Sequence, residues 1–378
     1  MTGRSALVSG AGIAGLAAAI ALGEIGWDVT VIEIKTENTT VGVGLNHPAN
    51  ALRALQALGV YDQVVERGYV YRGIKRYTQA GDLIATFEPA NPDDVPFQIS
   101  MTRADLHEIL TDRAVEVGAR IELGQTWTAI EQNDAAVTAT LADGSTRTYD
   151  LVIGAEGIRS PLRRVLFGNA YEPRGTGYVC WRMPVRRPAD VTHSLYYNGE
   201  QVKATVINLN AESMYLLVVQ QAPPAAALDR TQLAGELSGL LAGFPGIISD
   251  IRASITPQTD IHRGPLEVVE LPTTWNDGRV VLVGDAAHAV IPHLAQGAGM
   301  AMEDAIVLAD ELRRHEDDVP KALAAFMRRR LPRVRYVQEE AHAILLNEME
   351  ADAAKKAIFA AGLGARQERI TRRLAEPA

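Results

Sequence analysis

The first residues able to do chemistry are Gly10-Ala11-Gly12-Ile13-Ala14-Gly15. A glycine turn that opens a helix brings backbone N–H groups against a pyrophosphate. The first glycine makes the tight turn, the second lets the phosphate approach, and the third packs helix on strand. Here these are Gly10, Gly12 and Gly15, with Ile13 and Ala14 between the last two. An acid at the end of the next strand takes the ribose hydroxyls, and Glu33 stands 18 residues after Gly15 in that place. The pattern points to a dinucleotide and does not say which.

A second anchor lies far along the chain. Gly278 to Val283 reads as a buried strand ending in Gly284-Asp285, and Pro292-His293-Leu294-Ala295-Gln296-Gly297-Ala298-Gly299 then opens a helix. A carboxylate at a strand end can hold a polyol hydroxyl. A glycine-rich helix start offers N–H donors and a positive dipole end. A reduced isoalloxazine needs such donors, because its anionic charge spreads over N1 and O2. An NAD enzyme has no need of a second anchor about 270 residues after the first. The expected bound cofactor is therefore FAD.

These residues need elements to hold them. Ala6-Leu7-Val8, the alanine-rich stretch through Leu22, and Asp28 to Glu33 read as strand, helix and strand around the glycine turn. Asn50 to Leu58 and Thr102 to Val117 have helical periodicity. Gly73 to Glu88 alternates around Ala80-Gly81-Asp82, and a further hairpin turns at Asp143-Gly144. Asp150 to Gly154 is another buried strand. From Gly177 to Thr274 extended segments dominate, interrupted by a helical stretch at Asp229 to Phe244, and after Gln296 the chain reads as helix.

Composition narrows the classes. The 378 residues are 47% hydrophobic, enough for a large core, and the net charge of −9 comes without a basic patch of the size nucleic acid needs. One cysteine, Cys180, makes no intrachain disulfide, and dispersed histidines without a CxxC or HExxH pattern argue against a metal site. No long uninterrupted apolar run predicts a membrane span, and the start of the chain does not read as a secretion signal. A cytoplasmic protein, monomeric or homodimeric, is expected.

The glycine fingerprint with Glu33, the Arg103 of Met101-Thr102-Arg103-Ala104-Asp105-Leu106, and the Gly284-Asp285 segment together resemble the class A flavoprotein aromatic hydroxylases, the group of p-hydroxybenzoate and salicylate hydroxylases. The resemblance runs from Ala6 to about Leu331. The Pro292 to Ala298 stretch is most similar to members acting on hydroxylated pyridines. It implies that Gly10 to Gly15 hold the FAD pyrophosphate and Glu33 the adenosine ribose, with Lys35 in the same cofactor-binding set. Arg103 would reach the pyrophosphate or flavin edge, the backbone at Trp127 would touch adenine, and Asp285 would bind the ribityl chain. Pro292 would border the flavin, with Gly297, Ala298 and Gly299 along its pyrimidine edge. Two departures stand out: Ala155-Glu156-Gly157 where the family has Asp-Gly, and Asn46-His47-Pro48-Ala49-Asn50 where it has a Pro-Asn pair.

With no second dinucleotide fingerprint, NADH or NADPH would visit as a transient co-substrate. The family chemistry proceeds through a flavin C4a-hydroperoxide, which attacks an electron-rich ring carbon in a site closed to bulk water. A base that deprotonates a substrate hydroxyl helps this attack. His293 is the first candidate, beside the helix start that the resemblance places over the flavin; the alternative is a structural or solvent-facing histidine. His47 is the second, in a loop expected to border the flavin. Tyr215, Tyr196, Tyr197 and Arg182 fall on strands of the insertion. Arg182 could pair a substrate carboxylate, or belong with Arg186 and Arg187 to a solvated edge; Tyr215 joins the catalytic candidates, with sheet packing as its plain alternative. Arg328 to Arg330 with Arg333 and Arg335 reads as a solvated helix face.

The expected fold is α/β: a Rossmann-like FAD-binding domain with an inserted β-sheet substrate domain and a helical C-terminus. The cofactor domain is assigned to 1–72, 99–175 and 277–330, the β-rich substrate domain to 73–98 and 176–276, and the C-terminal helices to 331–378. The expected activity is NAD(P)H- and O2-dependent hydroxylation of a small phenolic or hydroxylated N-heteroaromatic substrate. The same fold could instead act on a larger natural product. From a different class, it could be a non-catalytic FAD-binding redox protein.

Overall fold

Alternating buried strands and helices build a six-stranded sheet. Its spatial order is Asn276–Asp277, Val280–Leu282, Leu151–Gly154, Ser5–Ser9, Asp28–Glu33, Arg120–Leu123. Every neighbouring pair is parallel except the antiparallel Asn276–Asp277 edge. A computed structural model describes all residues apart from 1–2, 38–41, 71, 89–95, 97, 200–201, 223–227, 317, 349 and 351, and the side chains at 348, 353, 356, 357 and 360. Parts of the expected second domain, at 89–95, 97, 200–201 and 223–227, thus lie outside the described residues.

Parallel strands are covered on both faces, which explains their near-continuous apolar runs. The helix Ile13–Glu24 lies against this sheet with Leu16 to Ile20 wholly buried, because it is itself packed on several sides. The helix Gly297–Arg314 meets it at Gly284: a Cβ there would lie 2.8 Å from the Ala14 methyl and 3.2 Å from that of Ala301. Any side chain at 284 would push the two helices apart, and its φ of +58° favours glycine as well. The hairpin strands Val137–Leu141 and Thr146–Tyr149 pair where Asp143-Gly144 predicts a turn.

The second large sheet has seven strands in the order His262–Val268, Arg174–Arg186, Ser213–Gln221, Val202–Asn208, Ser194–Asn198, Ile74–Thr78, Leu83–Phe87. The hairpin around Gly81 thus joins the sheet formed by the later extended segments. Strand alternation gives this sheet two distinct faces. One carries Trp181, Met183, Val206, Leu216 and Val218 and packs on the helices Arg230–Leu240 and Ile247–Ala253. The other carries Cys180, Arg182 and Pro184, Tyr215 and Val219, and Lys203, Thr205 and Ile207. Pro184 is tolerated inside a strand because its neighbour on that side, His262–Val268, pairs no further than Arg182.

Two expectations are corrected. The stretch around His47 is a strand, Gly44–Pro48, paired antiparallel with Gln98–Thr102. Its apolar partners Ile99 and Met101 supply the pairing that a single alternating run does not reveal. The arginine run is not a solvated face: Arg330 is fully buried and Arg333 nearly so, while Arg328 and Arg335 on the other side of the helix are exposed. Buried carboxylates on the Gly297–Arg314 helix draw these two guanidinium groups inward. Among the described residues no helix is long and apolar enough to cross a membrane.

Candidate active site

The three glycines of the first turn do three different things. A Cβ on Gly10 would lie 2.6 Å from the Ala155 carbonyl oxygen, and one on Gly15 would lie 1.9 Å from that of Gly10. Both are glycine because backbone packs on them. A Cβ on Gly12 would meet nothing within 4 Å. Its bare backbone borders open space at the start of the helix, where the N–H groups of Ile13 and Ala14 begin the helix and no side chain caps it. That is the form of a phosphate cradle. Beside it, Glu33 accepts from the backbone N–H of Ala11 and of Lys35, both at 3.0 Å. Two single bonds leave lone pairs on each oxygen for a vicinal diol.

The Trp127 side chain turns inward. Its Nε1 donates to Ser9 Oγ at 3.1 Å and to Glu156 Oε1 at 2.8 Å. Glu156 also accepts from Ser9 Oγ at 2.8 Å, Ser160 Oγ at 2.6 Å and the backbone N–H of Leu162 at 2.9 Å. The glutamate that replaces the family's aspartate thus joins the end of the first strand, the Trp127 strand and the start of the helix Pro161–Phe167. Four protein donors occupy it.

At the second anchor, Asp285 opens the short helix Asp285–His288. Solvent reaches its side chain, yet protein surrounds it densely enough for burial to push its carboxyl up, against His288 and then Arg103. Both facts hold together for a carboxyl on the wall of a deep cleft. Arg103, the first residue of the helix Arg103–Glu116, is half-buried; burial pulls its guanidinium down, opposed by Asp285 and reinforced by Arg182. Arg103 and Asp285 therefore share one electrostatic neighbourhood with Arg182 of the seven-stranded sheet.

Tyr215 stands on the same sheet face. It is buried beside Gly44, whose added Cβ would come within 3.0 Å of the ring. Burial pushes its phenol up, with Arg182 opposing, so it stays protonated and able to donate. Tyr196 lies between two cations, with the Arg76 guanidinium carbon 5.0 Å and the Lys203 ammonium 5.1 Å from its ring centre. Tyr197 projects to the opposite face, stacked on Tyr77 at 4.8 Å and packed against Phe244.

His293 occupies the turn Pro292–Leu294 and is partly buried. The turn ends at Ala295, whose φ of +54° is the positive value among the described non-glycine residues. Such strain persists only where surroundings impose it; here it redirects the chain into the helix at Gly297. A Cβ on Gly297 would have room, whereas one on Gly299 would lie 3.0 Å from the Ala51 methyl. His47 is fully buried, has no hydrogen-bond partner among the described residues, and burial lowers its pKa to about 4. With no accessible surface, the ring is placed for packing, and no substrate contact is assigned to it. His288 supports the strand end through Asp304 at 2.5 Å.

A family model described as an FAD binding domain matches residues 4–341. The chain belongs to this FAD-binding family. Bacillus subtilis YetM, provisionally named an FAD-dependent monooxygenase, is 33% identical over 350 residues, 92% of this chain and 94% of that protein. The 2-heptyl-3-hydroxy-4(1H)-quinolone synthase of Pseudomonas aeruginosa is 31% identical over 341 residues, 88% and 87% of the two chains. Klebsiella pneumoniae HpxO, solved with FAD and uric acid, superposes with a TM-score of 0.89 at 27% identity, covering 98% of this chain and 97% of the other. This member of the family is an FAD-dependent monooxygenase. Its fold is the α/β arrangement with helical C-terminus that the sequence predicts. The sequence motifs mark Glu156 only as a departure and miss Glu303 and Asp304, which form a buried set with Asn50, Gln296, Arg330 and Arg333. The readable signal is a Glu303-Asp304 pair inside an otherwise apolar stretch of helix.

Proposed function

We propose that this monooxygenase hydroxylates a small phenolic or hydroxylated N-heteroaromatic ring carrying an acidic group, with NADH or NADPH as reductant. Arg182 is the observation that carries the reading. It stands on the sheet face that carries Cys180 and Tyr215, with Leu217 opposite it on one neighbouring strand and His262 on the other, and interacts electrostatically with Arg103 and Tyr215. A guanidinium held in such a wall recognises a planar anion in a bidentate fork. Bound FAD, reduced by NADH or NADPH, supplies the activation of O2. Overall, one oxygen atom enters a ring C–H bond, the other leaves as water, and the nicotinamide is oxidised.

The side chains divide the remaining work. Gly12, the Ile13–Ala14 helix start and Glu33 hold the ADP half; Asp285, Arg103 and the Gly297–Ala298 helix start face the flavin half. Arg182 orients the acidic group, Tyr215 donates a hydrogen bond, and His293 removes the proton of the ring hydroxyl. The uric acid bound to HpxO, a hydroxylated N-heterocycle with acidic protons, supports this substrate class. The quinolone synthase relative favours a second reading, a bulkier heterocycle with an alkyl chain. The test is nicotinamide oxidation against hydroxybenzoates, hydroxypyridines, uric acid and alkylquinolones, with the product read by mass. Stimulation with oxygen insertion by one acidic ring compound is expected; stimulation by none of them would sink the proposal.

A further inference from the structure

Two adjacent carboxylates of the helix Gly297–Arg314, Glu303 and Asp304, are buried (4% and 0% exposed) and point along separate paths. Asp304 Oδ2 accepts from the Gly284 N–H at 2.9 Å and from His288 Nε2 at 2.5 Å, holding both ends of the short helix that begins with Asp285. Glu303 Oε1 accepts from Asn50 Nδ2 at 2.9 Å, and Asn50 exchanges two further hydrogen bonds of 2.9 Å with Gln296, the residue just before Gly297. The two paths meet at one side chain. Arg330 is fully buried and donates from Nε to Asp304 Oδ1 at 2.8 Å, from one terminal nitrogen to Glu303 Oε2 at 2.7 Å, and from the other to the Met300 carbonyl at 3.1 Å. Arg333 completes Glu303 at 2.7 and 2.8 Å.

We propose that Arg330 is a positioning residue for the flavin half of the cofactor, locking the Gly284–Asp285 turn and the Gln296–Gly299 helix start into one fixed spacing. Buried ion clusters are poor devices for stability alone, since apolar residues of similar volume commonly do as well or better. What the fork of a guanidinium adds is geometry: three donors in one plane fix two carboxylates and a carbonyl at once. Each carboxylate ends, through hydrogen bonds, on one of the two segments assigned to the flavin half. Gly284 also packs on Ala14, but the hydrogen bonds of the two paths go to Gly284, His288, Asn50 and Gln296 and not to Gly10–Gly15 or Glu33. The inference rests on that assignment of Asp285 and Gly297–Ala298, and is independent of which ring is hydroxylated.

The test uses the full-length apoprotein with two probes, FAD and ADP. ADP needs only the Gly10–Gly15 and Glu33 side of the cleft. Arg330→Lys keeps the charge and loses the fork. We expect the FAD dissociation constant to rise about tenfold or more, as when an outer hydrogen-bond partner of a metal ligand is removed, while ADP affinity stays essentially unchanged. The midpoint potential of the bound flavin should shift as well. Unchanged FAD affinity in the folded variant, or equal loss of FAD and ADP, would overturn the proposal. Should Arg330→Lys fail to fold, Asn50→Ala and His288→Gln cut one path each. If Arg330 couples the paths, the double variant loses FAD affinity by a factor at least about threefold short of the product of the single losses. A simple product would mean that the two anchors are independent.

Discussion

The indole of Trp127 donates to Glu156 at 2.8 Å, and this bond ties the strand Trp127–Gln132 to the glutamate that departs from the family pattern. Because four donors fill this carboxylate, its work is to hold strands and helix together rather than to meet nicotinamide. Glu156→Gln turns one acceptor into an N–H₂ group facing Ser160 and the Leu162 N–H. Stability should fall by about 1–3 kcal/mol, the cost of leaving buried donors unmet. Denaturant unfolding of the apoprotein measures it. The KM for NADH or NADPH should stay unchanged; a large rise in KM with intact stability would assign Glu156 to the nicotinamide instead.

Asp285, proposed to face the flavin half, should couple cofactor retention to the acid–base behaviour of the empty protein. Burial raises its carboxyl above the unfolded value of about 3.9. A group raised on folding contributes stability fully below the unfolded pKa and loses it as pH climbs through the folded one. Asp285→Asn should therefore stabilise the apoprotein at neutral pH relative to the parent while weakening FAD binding. Unfolding curves at pH 4 and pH 7, together with FAD titration, check both halves. A variant that keeps full flavin affinity would remove Asp285 from the ribityl contact.

His47 gives the opposite sign. Its folded pKa of about 4 lies below the unfolded 6.5. Its contribution is present above 6.5 and is lost as pH falls toward 4, a loss on the order of a few kcal/mol. His47→Leu should flatten the acid side of the stability profile between those values and leave hydroxylation in place. Loss of hydroxylation with FAD still bound would restore His47 as a base.

His293→Ala should keep FAD and slow hydroxylation at neutral pH, by about 10²–10⁴-fold if it is the base. The gap should narrow in alkaline solution, where the substrate hydroxyl ionises unaided. A constant ratio across pH would leave His293 with a structural role only.

Arg182→Met should raise KM for an anionic ring about tenfold to a hundredfold, the worth of a charge-assisted hydrogen bond. It should change KM little for the matching neutral amide. Equal effects on both would show that Arg182 shapes the pocket and does not read charge.

Much of this is legible in the residue order. The glycine spacing, Glu33 and Gly284-Asp285 are local signals, and local backbone geometry dictates them. Gly12 illustrates how far that goes: the motif names it, and the structure shows that it alone of the three glycines borders open space. The strand Gly44–Pro48 is hidden from a local reading because its partner Gln98–Thr102 is some 50 residues away. The arginine run misleads because exposure depends on what faces a helix. Arg330 and Arg333 face Glu303 and Asp304, which lie on another helix, and no periodicity announces such a meeting. Glu156 stands out as a departure, but its four donors come from three separate segments.

We propose that the flavin of this chain transfers an oxygen atom to an acidic aromatic ring. The most direct test is turnover of the FAD-loaded protein under isotopically heavy O2 with NADH or NADPH and the panel of ring compounds, reading the product by mass. One ring compound should both accelerate nicotinamide oxidation and gain a single heavy oxygen atom, with Arg182→Met suppressing it selectively for the anion. Nicotinamide oxidation that no ring compound stimulates, with every ring recovered unlabelled, would contradict the proposal.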